Sequence, residues 1–310
     1  MTTLFYLAAY AAILGFIFFA VTKVRGYLAA SPLHVRWELY PVPHEGKKAA
    51  YGGSFMDEKD WWTKPRHIEH MGDLIALLKE VLFLEATFTH NRPLWIRTYP
   101  FHFGLYMMMG GMFVVLFAVI LKMFGVADTN GFVVFIGNVI NAISMLGLLG
   151  IVGGGIGLIY RRLDDKGLRR YSTPEHFFNL GAFVVYALFG LAAWATQPSF
   201  FALSRDFMYN LFTFNFVAQV SSPFAIHMLI GFFMMVWIPM TNMSHLIYKY
   251  FNYHDIRWGD TPTNDSEANQ KKIGVVLGFK PTWSADHIAG DGNKTWVDVA
   301  VTNPTAPKQD

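Results

Sequence analysis

Five long apolar runs set the pattern of this chain: Leu4 to Val24, about Pro100 to Phe124, Gly131 to Tyr160, Phe177 to Thr196 and Pro223 to Tyr248. About 20 such residues carry a helix across the roughly 30 Å hydrocarbon layer of a bilayer. The second run holds only Lys122, near its far end, and the third holds no charge at all. Pro239 falls inside the fifth, where a membrane helix tolerates it as a kink because neighbouring groups satisfy the freed carbonyl. The expected fold is therefore all-α, an integral membrane bundle of five helices.

The polar positions predict an orientation. Met1-Thr2-Thr3 carries no basic side chain, and Lys23 and Arg25 follow the first run, a pattern of an uncleaved anchor with its N-terminus outside. Arg161 to Arg170 contains five basic residues, whereas segments 125–130 and 197–222 contain only Arg205, so the basic loop belongs in the cytoplasm. Both signals put the C-terminus inside. The expected organisation is a transmembrane helix over 1–24, a cytoplasmic loop over 25–99, a four-helix membrane domain over 100–248 and a cytoplasmic tail over 249–310. The loop begins irregularly, with Trp37-Glu38-Leu39-Tyr40-Pro41-Val42-Pro43-His44-Glu45, Gly52-Gly53 and Trp61-Trp62. From about Ile68 to Phe88 it takes up a helical period, with apolar residues at 74, 75, 77, 78, 81, 82 and 84 among Asp73, Lys79, Glu80 and Glu85, which predicts an amphipathic helix lying against the membrane or a partner. The tail is rich in Asn, Asp, Thr and Pro around Trp258, Trp283 and Trp296 and is expected to be extended and to dock on a partner.

Composition narrows the chemistry. With 53% hydrophobic and 15% charged residues, the chain is far from the roughly 25% charged of soluble domains. It has no cysteine, which excludes disulfides, protein-held iron–sulfur clusters and covalently attached haem. A net charge of +3 gives no reason to expect nucleic acid. No phosphate cradle, paired intramembrane carboxylates or nucleophile motif is present, so any redox centre must hang on histidine or methionine.

Ionisable groups inside spans are functional candidates by default. His227 and His245 lie eighteen residues apart in the fifth run, five whole helical turns and about 27 Å, so both rings are expected to point the same way. His102 opens the second run. Because the second and fifth helices are antiparallel, His102 and His245 share a depth and can face each other, as the axial ligands of a b haem do. Interfacial hydrogen bonding is the plainer alternative for any one of these rings, and zinc lacks a third ligand nearby. His227 would need a partner on the outer half of helix two. Met112 lies about 15 Å beyond His102 and is a candidate ligand, although Met107, Met108 and Met109 equally suggest a methionine stripe that packs lipid or haem edges. His90 and His176, on the inner side, could touch haem propionates or a quinone, with interfacial packing the plainer reading. The glycines at 147, 150, 153, 154, 155 and 157 suit close helix packing or room for a porphyrin face.

Phe101-His102-Phe103-Gly104 and the His227/His245 pair resemble the gamma-type cytochrome b subunit of respiratory nitrate reductase and its relatives in heterodisulfide-reductase-like membrane complexes. The resemblance implies two stacked b haems, with His102 and His245 matching the ligands of the cytoplasm-proximal haem and His227 one ligand of the distal haem. At Gly111-Met112 the family has Gly-His, so one or two haems are expected. The long first loop looks like the version in anaerobic, often sulfate-reducing, bacteria, beside a heterodisulfide-reductase-like iron–sulfur subunit and in some complexes a periplasmic multihaem cytochrome. The implied function is electron relay between a membrane quinone, expected to be menaquinone, and the iron–sulfur partner. The chain would be a non-catalytic or quinone-reactive subunit of an oxidoreductase in a bacterial or archaeal cytoplasmic membrane. Lys122, Arg205, Asp206, Asn210 and Gln219 are candidates to hydrogen-bond a quinone, with interfacial anchoring the plainer role. The rivals are a cofactor-free membrane anchor for a soluble reductase and, further off, a transporter, which would call for charges or broken helices at mid-membrane.

Overall fold

The computed structural model describes residues 2–30, 36–38, 42–65, 68–216, 220–261, 266–285, 288 and 290–303. Among these the regular structure is helical, apart from an isolated bridge between Ala285 and Ile288. In chain order come α1 (Thr2–Ala29), α2 (Lys47–Ala50), α3 (His70–Phe83) and α4 (Glu85–His90). They are followed by α5 (Arg92–Met123), α6 (Gly131–Asp164), α7 (Lys166–Tyr171), α8 (Pro174–Thr196) and α9 (Phe200–Phe212). The chain continues with α10 (Ser222–Met240), α11 (His245–Phe251), α12 (Glu267–Leu277) and α13 (Trp296–Val301). Five of these, α1, α5, α6, α8 and α10, are long and apolar enough to cross a membrane.

Two compact units emerge, one of Met1–Val21 with His70–Ser244 and the other of Thr22–Glu69 with His245–Asp310. In the first unit α5 packs on α6, α6 on α8 and α8 on α10, while α9 fits against α5 and α6. The α5–α6 seam depends on missing side chains. A Cβ at Gly154 would lie 2.5 Å from the Phe101 amide nitrogen, one at Gly150 2.8 Å from the Pro100 carbonyl oxygen, and one at Gly104 against the Gly147 carbonyl. The close-packing reading of these glycines holds. Gly153 alone of the run has open space beside it.

Helix boundaries follow local chemistry. α5 starts eight residues before Pro100, because the Asn91 side chain accepts a hydrogen bond from the Leu94 amide and Pro93 sits in the first turn. The fifth span is shorter than its apolar run. α10 ends at Met240, immediately after Pro239, and Asn242–Ser244 form a 3₁₀ turn before α11 begins. Thr241 and Ser244 take the local hydrogen bonds there, Ser244 Oγ donating to the Thr241 carbonyl at 2.8 Å. His227 and His245 thus sit on two helices, and the whole-turn arithmetic that aligned their rings does not apply. The amphipathic stretch is likewise divided: Leu84, with φ of 53°, separates α3 from α4.

Segment 197–222, expected to be a polar loop, contains α9. Its Phe200, Phe201, Phe207 and Leu211 are buried, and Arg205, itself buried, pairs with Asp128 at 2.8 Å and Asp206 at 3.1 Å.

In the second unit the expected extended tail is partly helical, and some of it packs on the first loop. The Trp37 and Glu38 amides donate to the Ile256 and Arg257 carbonyls at 2.9 and 2.8 Å. Trp258 is fully buried against His44, His254 and Tyr253. Asp260 bridges the two histidines, 3.3 Å from His44 Nε2 and in close contact with His254 Nδ1. From α12, the Lys272 ammonium caps α1 by donating to the Leu28 and Ala30 carbonyls. Of the Trp37–Glu45 motif, residues 39–41 lie outside the described residues.

Candidate functional site

His227 is the most enclosed of the candidate histidines, 2% exposed on the second turn of α10. Its imidazole stacks on Tyr186 with centroids 4.1 Å apart and meets Phe200 edge-on at 5.8 Å. Gly190, one helical turn beyond Tyr186 on α8, makes room for the ring: a Cβ there would lie 2.9 Å from His227 Cε1. His227 Nδ1 is 2.9 Å from the Tyr186 carbonyl oxygen. A carbonyl can only accept, so Nδ1 holds the proton and Nε2 presents its lone pair. Among the described residues Nε2 has no hydrogen-bond partner. A neutral imidazole whose other nitrogen donates to a backbone carbonyl is the form in which histidine ligates iron.

His102 on α5 shares the backbone contact of that arrangement. Its Nδ1 lies 2.9 Å from the Thr98 carbonyl and 3.1 Å from the Thr98 hydroxyl, one turn earlier on the same helix. Tyr106, one turn later, flanks the ring at 6.3 Å. His245 is the first residue of α11 and is exposed. Met112 lies on α5, 46% exposed. His176 serves its own helix, where its Nδ1 accepts from the Thr173 amide at 3.0 Å and closes the N-terminus of α8. His90 ends α4 and is exposed. Thr98, Tyr186 and Gly190 were not picked out from the sequence, although a threonine four residues before a span histidine is a legible signal for the first.

These side chains suit haem better than a protein-only metal site. Among the described residues no three His, Asp or Glu side chains are grouped to hold an ion, whereas bis-axial ligation asks each helix for one imidazole. α5 and α10 are the two ends of the row α5–α6–α8–α10, and side chains such as Met108, Ile230 and Met234 join them in one apolar cluster.

The nitrate reductase gamma subunit family matches residues 85–258. The chain belongs to that family. Nitrate reductase gamma subunits are membrane haem b cytochrome subunits of redox complexes that contain catalytic and iron–sulfur subunits. The match takes in α4 to α11 and hence every histidine weighed above as a haem or quinone contact; α1, α3, most of the first loop and the tail lie outside it. No curated protein and no solved structure matches the chain.

The candidate quinone contacts collect at the end of α5. A cavity of about 330 Å³ is lined by Lys122, Asp206 and Asn210 together with Tyr6, Tyr209 and Phe224. Lys122 Nζ lies 2.9 Å from Asp206 and 5.0 Å from the centroid of Tyr209. Phe224 connects this cavity to the buried histidine, its ring centroid 6.3 Å from that of His227. Arg205 is held in its ion pairs, and Gln219 lies outside the described residues.

Proposed function

We propose that this gamma-family subunit is a b-haem electron carrier that relays electrons between a membrane quinone and a cytoplasmic iron–sulfur partner of the heterodisulfide-reductase type. The observation that carries the reading is the pair of imidazoles, His102 and His227, each with Nδ1 on a backbone carbonyl of a spanning helix. His102 and His245 would hold the cytoplasm-proximal haem. His227 would supply one ligand of the distal haem, with Met112 as its candidate partner. When bound, haem b supplies a one-electron couple whose potential depends on axial ligands, hydrogen bonding and burial.

The residues around those positions do the rest. The Tyr186 and Thr98 carbonyls fix the tautomer and orientation of the two rings. Phe200, Phe224 and Leu148 exclude water from the surroundings of His227. Lys122, Tyr209 and Asn210 can donate hydrogen bonds to quinone oxygens in the cavity beside Phe224. In this reading the N-terminus is outside, the chain lies in a bacterial or archaeal cytoplasmic membrane, the quinone is menaquinone, and residues 25–99 with the tail 249–310 receive the iron–sulfur subunit. A periplasmic multihaem cytochrome is the proposed further partner on the outer side.

Replacement of His102 or His245 by alanine tests this. Retained assembly with lost haem absorbance and lost quinone-linked turnover is expected. Unchanged turnover would favour the cofactor-free anchor.

A further inference from the structure

The 14 residues of α3 are not matched by the gamma-subunit family, yet they form a three-sided helix pinned to a spanning one. The Val81 carbonyl accepts from Tyr106 Oη at 2.6 Å, and the Phe83 carbonyl accepts from Trp95 Nε1 at 2.9 Å. At 100° per residue, Leu77 and Val81 share one side. Asp73 and Glu80 fall on another. Met71, Leu74, Ile75, Leu78 and Leu82 fall within a third arc of about 100°, and all five are 40–61% exposed.

Depth decides what can cover that third side. Arg97 is the last charge before an uninterrupted apolar stretch that runs to Lys122. Tyr106 lies nine residues into this stretch, about 13 Å by helix rise, and helical side chains lean back toward the N-terminus by part of that. The last turn of α3 is therefore fastened between the level of Trp95, just before that stretch, and the level of Tyr106 within it. Leu84 then reverses the chain through its left-handed conformation, and α4 returns it to Arg92. On α5, the helix to which α3 is tied, Ile96, Phe103 and Met109 are likewise exposed apolar side chains, of the kind lipid covers in a spanning helix. Glu80 accepts from the Ala86 amide at 2.9 Å.

We propose that α3 is an interfacial helix embedded in one leaflet of the bilayer, with Met71, Leu74, Ile75, Leu78 and Leu82 in contact with lipid acyl chains. The burial expected of such a helix is about 5–10 Å into the headgroup–acyl boundary.

This chain has no native cysteine, so its own label goes only to the introduced position, and the complex of the unsubstituted chain, labelled in parallel, supplies the background from partner thiols. Leu74→Cys, Leu78→Cys, Leu82→Cys, Asp73→Cys and Glu80→Cys are labelled with a bimane fluorophore in the complete complex reconstituted into liposomes. Quenching by acyl-chain-brominated phosphatidylcholine should be at least about twofold greater at 74, 78 and 82 than at 73 and 80, with aqueous iodide giving the reverse order. Labels at 74, 78 and 82 shielded from both quenchers would mean that a protein partner or a second copy covers the stripe, and labels open to iodide would mean that it faces water; either overturns the proposal. If a substituted chain fails to accumulate, the unmodified complex is photolabelled with a phosphatidylcholine bearing an acyl-chain diazirine. Adducts within residues 71–82 are expected, and their absence overturns the proposal.

Discussion

His227 depends on two neighbours for its role: a carbonyl that holds one nitrogen and a glycine that leaves the ring its space. Replacement by glutamine removes the imidazole while keeping a polar side chain of similar reach. His227→Gln should lose one haem signal and keep the other, measured as haem per polypeptide in the purified complex. Gly190→Ala is a finer probe. Its Cβ would lie 2.8 Å from Leu148 Cδ2 and 2.9 Å from His227 Cε1, so the ring must shift. The expected outcome is an altered low-spin electron paramagnetic resonance signal from one haem with normal assembly. Unchanged spectra in both variants would remove His227 from the ligand set. At this scale the sequence was informative about identity and silent about support. His102, His227 and His245 stand out as costly side chains in or beside apolar runs, but nothing in the order of residues announces that the Tyr186 carbonyl waits opposite His227, because that contact joins two helices 41 residues apart.

Among the elements, the α5–α6 seam is the firmest join, and its tolerance is narrow. A valine at Gly154 would push against the Phe101 amide and the Arg97 carbonyl, which are backbone and cannot rotate away. Gly154→Val should cost about 1–3 kcal/mol and lower the thermal midpoint of the detergent-solubilised protein, whereas Gly153→Ala, with open space beside it, should leave the midpoint unchanged. α13 allows a pH test. Asp298 accepts from the Thr295 hydroxyl at 2.7 Å and the Thr295 amide at 2.9 Å, and these bonds hold its carboxyl below the ordinary aspartate value of 3.8. A depressed acid contributes stability that is present above its unfolded value and lost as pH falls through its folded one. α13 should therefore stay formed at neutral pH and fray as pH falls below 3.8, read from the fluorine resonance of 5-fluorotryptophan at Trp296. Asp298→Asn should weaken that dependence. The five spans were legible because each is a long apolar run, and their ends were not, because caps decide them: Asn91 draws α5 eight residues outward, and Pro239 with Thr241 and Ser244 closes α10 early. α9 was missed although Phe200, Phe207 and Leu211 recur at helical spacing; Arg205, Asp206 and Asn210 on the same stretch suggested a polar loop, and the ion pairs that bury Arg205 come from Asp206 beside it and Asp128 on a distant segment.

For the whole molecule, the family match covers the helices that bear the candidate haem histidines, while α1, α3, most of the first loop and most of the tail lie outside it. The sequence suggested that the scattered tryptophans need burial, and Trp258 finds it within its own chain against His44 and His254. Trp37 and Trp283 remain 76% and 51% exposed. Whether haem b is held by this chain's own histidines is read from the pyridine haemochrome content and the dithionite-reduced minus oxidised spectrum of the purified complex, taken for the natural chain and for His102→Ala. The expected result is b haem bound to the natural chain and a selective loss of haem absorbance in the variant with the polypeptide still assembled. No haem in the natural chain, or the same haem content in both, would contradict it.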